Sequence, residues 1–129
     1  MGLELVNCER GYWDFVLELR NNLRKGFIEQ DIISKESHYL YMEIYSGNYY
    51  IALENNIPVG WVGSMNEDIR VATHPDHQKK GIAKFMINEL MNIFPDAFAK
   101  VKLDNEASIR LFESCGFKKK YYLLEKEDA

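Results

Sequence analysis

The sequence predicts a single-domain α/β fold of the α+β kind, with helices packed on a mixed sheet. Three observations predict it. Blocks with strand spacing and blocks with helical spacing follow one another in the order β-α-α-β-β-β-α-β-α-β. The 129 residues, 47% of them apolar, suffice for one core that buries roughly two thirds of the unfolded surface without disulfides. No repeat, low-complexity tract or linker divides residues 1–129 into smaller units.

Leu3 to Val6 alternates apolar with polar and reads as a first strand. Cys8 to Lys25 reads as a helix, with Trp13, Val16, Leu17, Leu19, Arg20 and Leu23 on its buried stripe and Gly26 as its stop. Ser34 caps a second helix that carries Tyr39, Leu40, Met42, Ile44 and Tyr45 and ends at Gly47-Asn48. A meander follows: Tyr49 to Glu54, a tight Asn55-Asn56 turn, Ile57 to Ser64, a turn at Met65 to Glu67, and Asp68 to Thr73. Pro75 disfavours helix at His74, so regular structure stops there. Gly81 to Phe94 reads as a helix with Ile82, Phe85, Met86, Glu89, Leu90 and Ile93 along one face. Phe98 to Leu103 alternates apolar residues with lysine and reads as a strand. Asn105 caps a short helix from Glu106 to Ser114, Gly116 suits a left-handed residue after it, and Phe117 to Glu125 reads as a last strand.

Composition excludes several classes. No apolar run approaches the roughly 20 residues of a membrane helix, and the first ten residues are polar and acidic, unlike a secretory leader. Cys8 and Cys115 lie in no metal or redox spacing, which fits a reducing, cytoplasmic setting. His74 and His77 lack a third residue spaced to join them on a metal. The net charge of −4 speaks against a general nucleic-acid binder. The charge is uneven. Residues 1–78 hold six Lys and Arg against twelve Asp and Glu, whereas residues 79–129 hold ten against eight. The C-terminal part suits an anionic ligand and the N-terminal part a cationic one.

The passage IRVATHPDHQKKGIA, Ile69 to Ala83, carries the chemistry. A strand runs through a polar loop into a helix that starts at a glycine. The first turn of a helix offers unpaired N–H groups and the positive end of its dipole, which together bind phosphate. Gly81 has no Cβ to keep a pyrophosphate away, Ala83 is nearly as open, and Lys79, Lys80 and Lys84 add positive charge. The glycine spacings of a Walker-type phosphate loop and of a dinucleotide fingerprint are both absent.

Gln78, Gly81 and Ala83 match the [RQ]-x-x-G-x-[GA] pattern of the GNAT-type N-acetyltransferase superfamily, which this chain resembles. A second match lies in NEASIRLFESCGF, with Asn105, Ser108, Leu111, Phe112, Gly116 and Phe117. The detailed likeness covers residues 57–117; residues 1–56 agree in element order. The resemblance implies a central, mostly antiparallel sheet with two splayed strands, here Asp68–Thr73 and Phe98–Leu103, and about four helices. It implies acetyl-CoA as co-substrate and a small-molecule primary amine as acceptor, with a homodimer common among members. The pantetheine arm would meet the backbone of Val71 and Thr73. Amides from Gln78 through Lys79, Lys80, Gly81 and Ile82 to Ala83 would hold the pyrophosphate, with Lys84 beside them, and Asn105, Ser108 and Phe112 would line the pantetheine and thiol end.

The family usually attacks directly, without an acyl-enzyme. An acidic residue at the start of the splayed strand serves some members as base, and Glu67 and Asp68 occupy that region. Many members have a tyrosine where this chain has Phe112, and phenylalanine has no proton to give. That leaves Tyr121 or Tyr122 as acid, an unassisted thiolate, or a catalytically silent acyl-CoA-binding module. Arg20-Asn21, Arg24 and the run Ile33 to His38 more faintly resemble members that acetylate amino groups on nucleotide-linked sugars. Arg20 and Arg24, one helical turn apart, would then share a phosphate, with His38 nearby. A protein or peptide N-terminus is the alternative acceptor.

Overall fold

The computed structural model describes residues 2–78 and 80–127. Its sheet has four strands in the order β1 (Leu3–Asn7), β2 (Tyr49–Glu54), β3 (Ile57–Met65) and β4 (Asp68–Thr73), each antiparallel to its neighbour. Two helices, α1 (Trp13–Asn22) and α2 (Lys35–Tyr45), pack on one face. Two more, α3 (Ile82–Ile93) and α4 (Glu106–Ser114), pack on the other.

Local chemistry explains most of the boundaries. Asn55 and Asn56 take φ of 51° and 69°, the paired positive values of a two-residue hairpin turn, and Asn66 and Glu67 repeat them at 52° and 68°. Ser34 accepts the Ser37 N–H to cap α2, and Asn105 Oδ1 accepts the Ser108 N–H at 3.2 Å to cap α4. Gly116, at φ 91°, closes α4 in the left-handed region. The helix expected over Cys8 to Lys25 is α-helical only from Trp13 to Asn22; single 3-10 turns flank it at Arg10–Tyr12 and Arg24–Gly26.

Each face of the sheet has its own core. Trp13, Val16, Leu19 and Met42 meet Tyr49, Ile51 and Trp61 on one side. Ile82, Met86, Ile87 and Leu90 meet Ala52, Val59 and Val62 on the other. Met42, Met86, Ile87 and Leu90 are wholly buried, each contributing roughly 1.5–3 kcal/mol. A bulge sets the phase of β3. Leu53 pairs with Pro58 and Ala52 with Gly60, so Val59 is the extra residue. Val59 and Trp61, two positions apart, therefore face opposite cores.

Two expected strands are absent. Phe98 to Leu103 touches β4 once, through a parallel bridge between Phe98 and Asp68. Ile69 N–H donates to the Phe98 carbonyl at 2.8 Å and Phe98 N–H to the Glu67 carbonyl at 2.7 Å. No further ladder bonds join the segments among the described residues, although Ala99 and Val101 still pack on the core. Phe117 to Glu125 pairs with no strand among the described residues: Phe117 N–H donates back to the Phe112 carbonyl at 3.0 Å at the end of α4, and Tyr121, Tyr122, Leu123 and Leu124 are exposed. Alternating apolar residues make a strand only where a second backbone completes the ladder.

Candidate active site

The end of β4 and the start of α3 form one half of the site. Gly81, at φ 79°, is the residue before α3, and no side chain caps it. A Cβ built there would have nothing within 4 Å, so the approach is open. The first hydrogen bond of α3 runs from Phe85 N–H to the Gly81 carbonyl, and the N–H groups of Ile82, Ala83 and Lys84 have no partner among the described residues, which suits an anion. The Ile82 side chain is buried in the core, so this residue offers only its backbone. Lys80 and Lys84 are exposed beside it, and Lys79 lies outside the described residues. Gln78 uses its side chain elsewhere, donating to the Thr73 carbonyl at 3.2 Å.

β4 supplies the connection. Ile69 N–H points away from β3, toward Phe98. Strand backbones alternate, so the N–H groups of Val71 and Thr73 point the same way, onto an edge where the chain has diverged. An open strand edge leading to an uncapped helix N-terminus fits an extended amide chain that ends in a pyrophosphate.

A cavity of about 550 Å³ opens beside that edge. It lies between α1, α2, the sheet, the Gly26–Ile33 connection and the Asn105 end of α4. Of the residues singled out in the sequence, Arg20, His38, Asp68, Val71, Asn105, Ser108 and Phe112 line it. Three of the expected catalytic and acceptor residues do not. Glu67 is exposed at positive φ in the turn before β4. Tyr121 is 92% exposed. Arg24 sits in the 3-10 turn after α1, so it does not share a ligand with Arg20 in this cavity.

Asp68 is half-buried, and burial pushes its carboxyl above the ordinary 3.8; the charges of Lys100 and Arg70 pull it partly back. Lys100 Nζ stands 4.0 Å from its carboxylate. His38 Nε2 lies 2.8 Å from the Trp13 carbonyl, and an acceptor there requires the proton on Nε2. Burial lowers its pKa, so His38 is neutral at pH 7. Phe112 is buried and meets Phe117 edge to face at 5.2 Å.

Sequence reasoning missed Tyr49, Trp61, Arg70 and Lys100 in the lining. Tyr41, from α2, also lines the cavity and shares a hydrogen bond with Tyr49. Gly63 makes room for Tyr49, since a Cβ there would stand 2.4 Å from the ring. Cys8 is a packing thiol that burial pushes up to about 12, and Cys115 packs against the α3 core. No group of three or more His, Cys, Asp or Glu side chains suits a metal, and no helix is long and apolar enough to cross a membrane, among the described residues.

The acetyltransferase (GNAT) family matches residues 13–117. No curated protein matches the chain by sequence. Solved structures resemble it in fold. A ribosomal-protein-alanine N-acetyltransferase from Brucella melitensis superposes with a TM-score of 0.79 at 15% identity, over 89% of this chain and 84% of that one. A spermidine N-acetyltransferase from Vibrio cholerae, in complex with CoA and spermine, gives 0.79 at 21% identity, over 97% and 86%. An aminoglycoside N-acetyltransferase in complex with CoA gives 0.77 at 13% identity, over 98% and 94%.

Proposed function

The chain belongs to the acetyltransferase (GNAT) family, and we propose that it is an acetyl-CoA-dependent N-acetyltransferase that acetylates a small primary amine seated in the 550 Å³ cavity. The observation that carries this reading is a convergence. The open edge of β4, leading from the Gly81 helix terminus, runs into the cavity at Val71, three residues from the half-buried Asp68 that begins the same strand.

Bound acetyl-CoA supplies a thioester carbonyl as the electrophile. The free amides at the start of α3 hold the pyrophosphate. Val71 N–H donates to the carbonyl oxygen as negative charge develops there. Asp68 takes the ammonium proton, directly or through a water, and its raised pKa makes it a stronger base than an ordinary aspartate. The amine then attacks in a ternary complex. Phe112 has no proton for the departing sulfur, and the Tyr41–Tyr49 hydroxyl pair in the same cavity takes over that task.

Phe112 also favours a second reading, a catalytically silent acyl-CoA-binding module. Detection of free CoA thiol across a panel of primary amines separates the two. Amine-dependent thiol release, with the N-acetylated product seen by mass, supports the transferase. Acetyl-CoA binding with no release above the no-amine rate for any amine supports the silent module.

A further inference from the structure

Two donors in the wall of the cavity have no partner. Arg20 Nη1 and Trp61 Nε1 are buried and accept-less among the described residues. Arg20 is 9% exposed and Trp61 3%. Both lean on one ring: Phe27 stacks on Trp61 at 5.8 Å, and the Arg20 guanidinium carbon stands 5.1 Å from the Phe27 centroid. Arg20 is held from behind, its Nη2 donating to the Glu29 carbonyl. Asn21 fixes the same connection twice, its amide donating to the Ile33 carbonyl at 2.9 Å and accepting the Ile33 N–H at 3.0 Å. The guanidinium is thus preorganised, yet its Nη1 is unused among the described residues.

The charges around it point one way. Arg20, Arg70 and Lys100 line the cavity, against Asp68 and Glu29. Asp68 already faces Lys100. Neither Arg20 nor Arg70 has a carboxylate within 4.0 Å among the described residues, although Glu29 and Asp31 lie near enough to be felt by Arg20. Burial first, and then the like charge of Arg70, lowers the Arg20 pKa, a cost that an incoming anion removes.

Resting on the transferase reading above, we propose that the acceptor amine carries an anionic group, a carboxylate or a phosphate, held by Arg20 and Trp61 at the α1 side of the cavity. A planar guanidinium pairs with either anion through parallel N–H bonds, and an indole N–H adds a third donor. A polycationic amine would meet repulsion there instead. The phosphates of a nucleotide-linked amino sugar would satisfy this chemistry, and so would the carboxylate of an amino acid.

The test is calorimetric titration of the CoA-saturated protein with matched pairs: ethanolamine and O-phosphoethanolamine, glucosamine and glucosamine 6-phosphate, propylamine and β-alanine. Uridine-diphosphate glucosamine and spermidine complete the set. The expected result is at least tenfold tighter binding of the anionic member in one pair or more, with the phosphate and carboxylate arms identifying the anion. Arg20→Gln should abolish the difference while CoA affinity is kept. Trp61→Phe, which keeps the ring stack and loses only the N–H, should reduce it several-fold and decides the matter if Arg20→Gln does not fold. Equal binding within every pair overturns the proposal, as does a preference that survives both substitutions. Anion preference without thiol release from any amine leaves this site standing and removes the transferase reading. Thiol release without anion preference does the reverse.

Discussion

The hydroxyl oxygens of Tyr41 and Tyr49 stand 2.6 Å apart in the wall of the cavity that also contains Phe112. One reaches in from α2 and the other from β2, and Arg70 Nη1 lies 3.5 Å from the Tyr41 oxygen. Burial and the hydrogen bond both keep Tyr49 protonated, well above its ordinary value. If this pair protonates the departing thiolate, Tyr41→Phe lowers kcat by about 10- to 100-fold with KM little changed. Adding Phe112→Tyr to that variant returns a phenol to the cavity and recovers part of kcat. Steady-state kinetics on the three variants checks both outcomes.

With Asp68 as the proposed base, its ionisation sets the acid limb of the pH profile. Its pKa is raised in the folded protein, so the ionised base is lost as pH falls through a value above the ordinary 3.8. kcat/KM should therefore begin to fall at a higher pH than for an exposed aspartate. Lys100→Met removes a charge that pulls this pKa down, and the limb moves to still higher pH. Asp68→Asn loses about 100-fold or more in kcat/KM and flattens that limb. A pH series on wild type and both variants measures all three.

Gly63 is a packing position with a catalytic consequence. A methyl group at this residue would stand 2.4 Å from the Tyr49 ring. Gly63→Ala should destabilise the fold by about 1–3 kcal/mol, read by thermal melting, and lower kcat because Tyr49 is displaced.

Much of the fold was legible because its signals are local. Ser34, Asn55-Asn56, Asn105 and Gly116 each satisfy or permit nearby backbone, and each stands where the sequence placed it. Phe98–Leu103 and Phe117–Glu125 were misread because a strand depends on a distant partner, which residue alternation does not encode. The site divides along the same line. Gly81 stands out in the continuous strand–loop–helix passage from Ile69 to Ala83, whereas Asp68, beside Glu67, came only from the resemblance. Trp61 was not, because the Val59 bulge decides which face it takes. Arg20 and Arg24 looked paired by helical spacing, but α1 ends at Asn22, between them.

The central claim is that Gly81 and the first turn of α3 hold the pyrophosphate of acetyl-CoA. The most direct measurement is the heat of binding of acetyl-CoA and desulfo-coenzyme A to wild type and Gly81→Asp at low and moderate salt. Aspartate tolerates the left-handed region better than most residues, so the variant should fold while its carboxylate repels the phosphates. Tight, salt-sensitive binding by wild type, and none by the variant, is the predicted result. Equal binding by both proteins, or none by either, would contradict it.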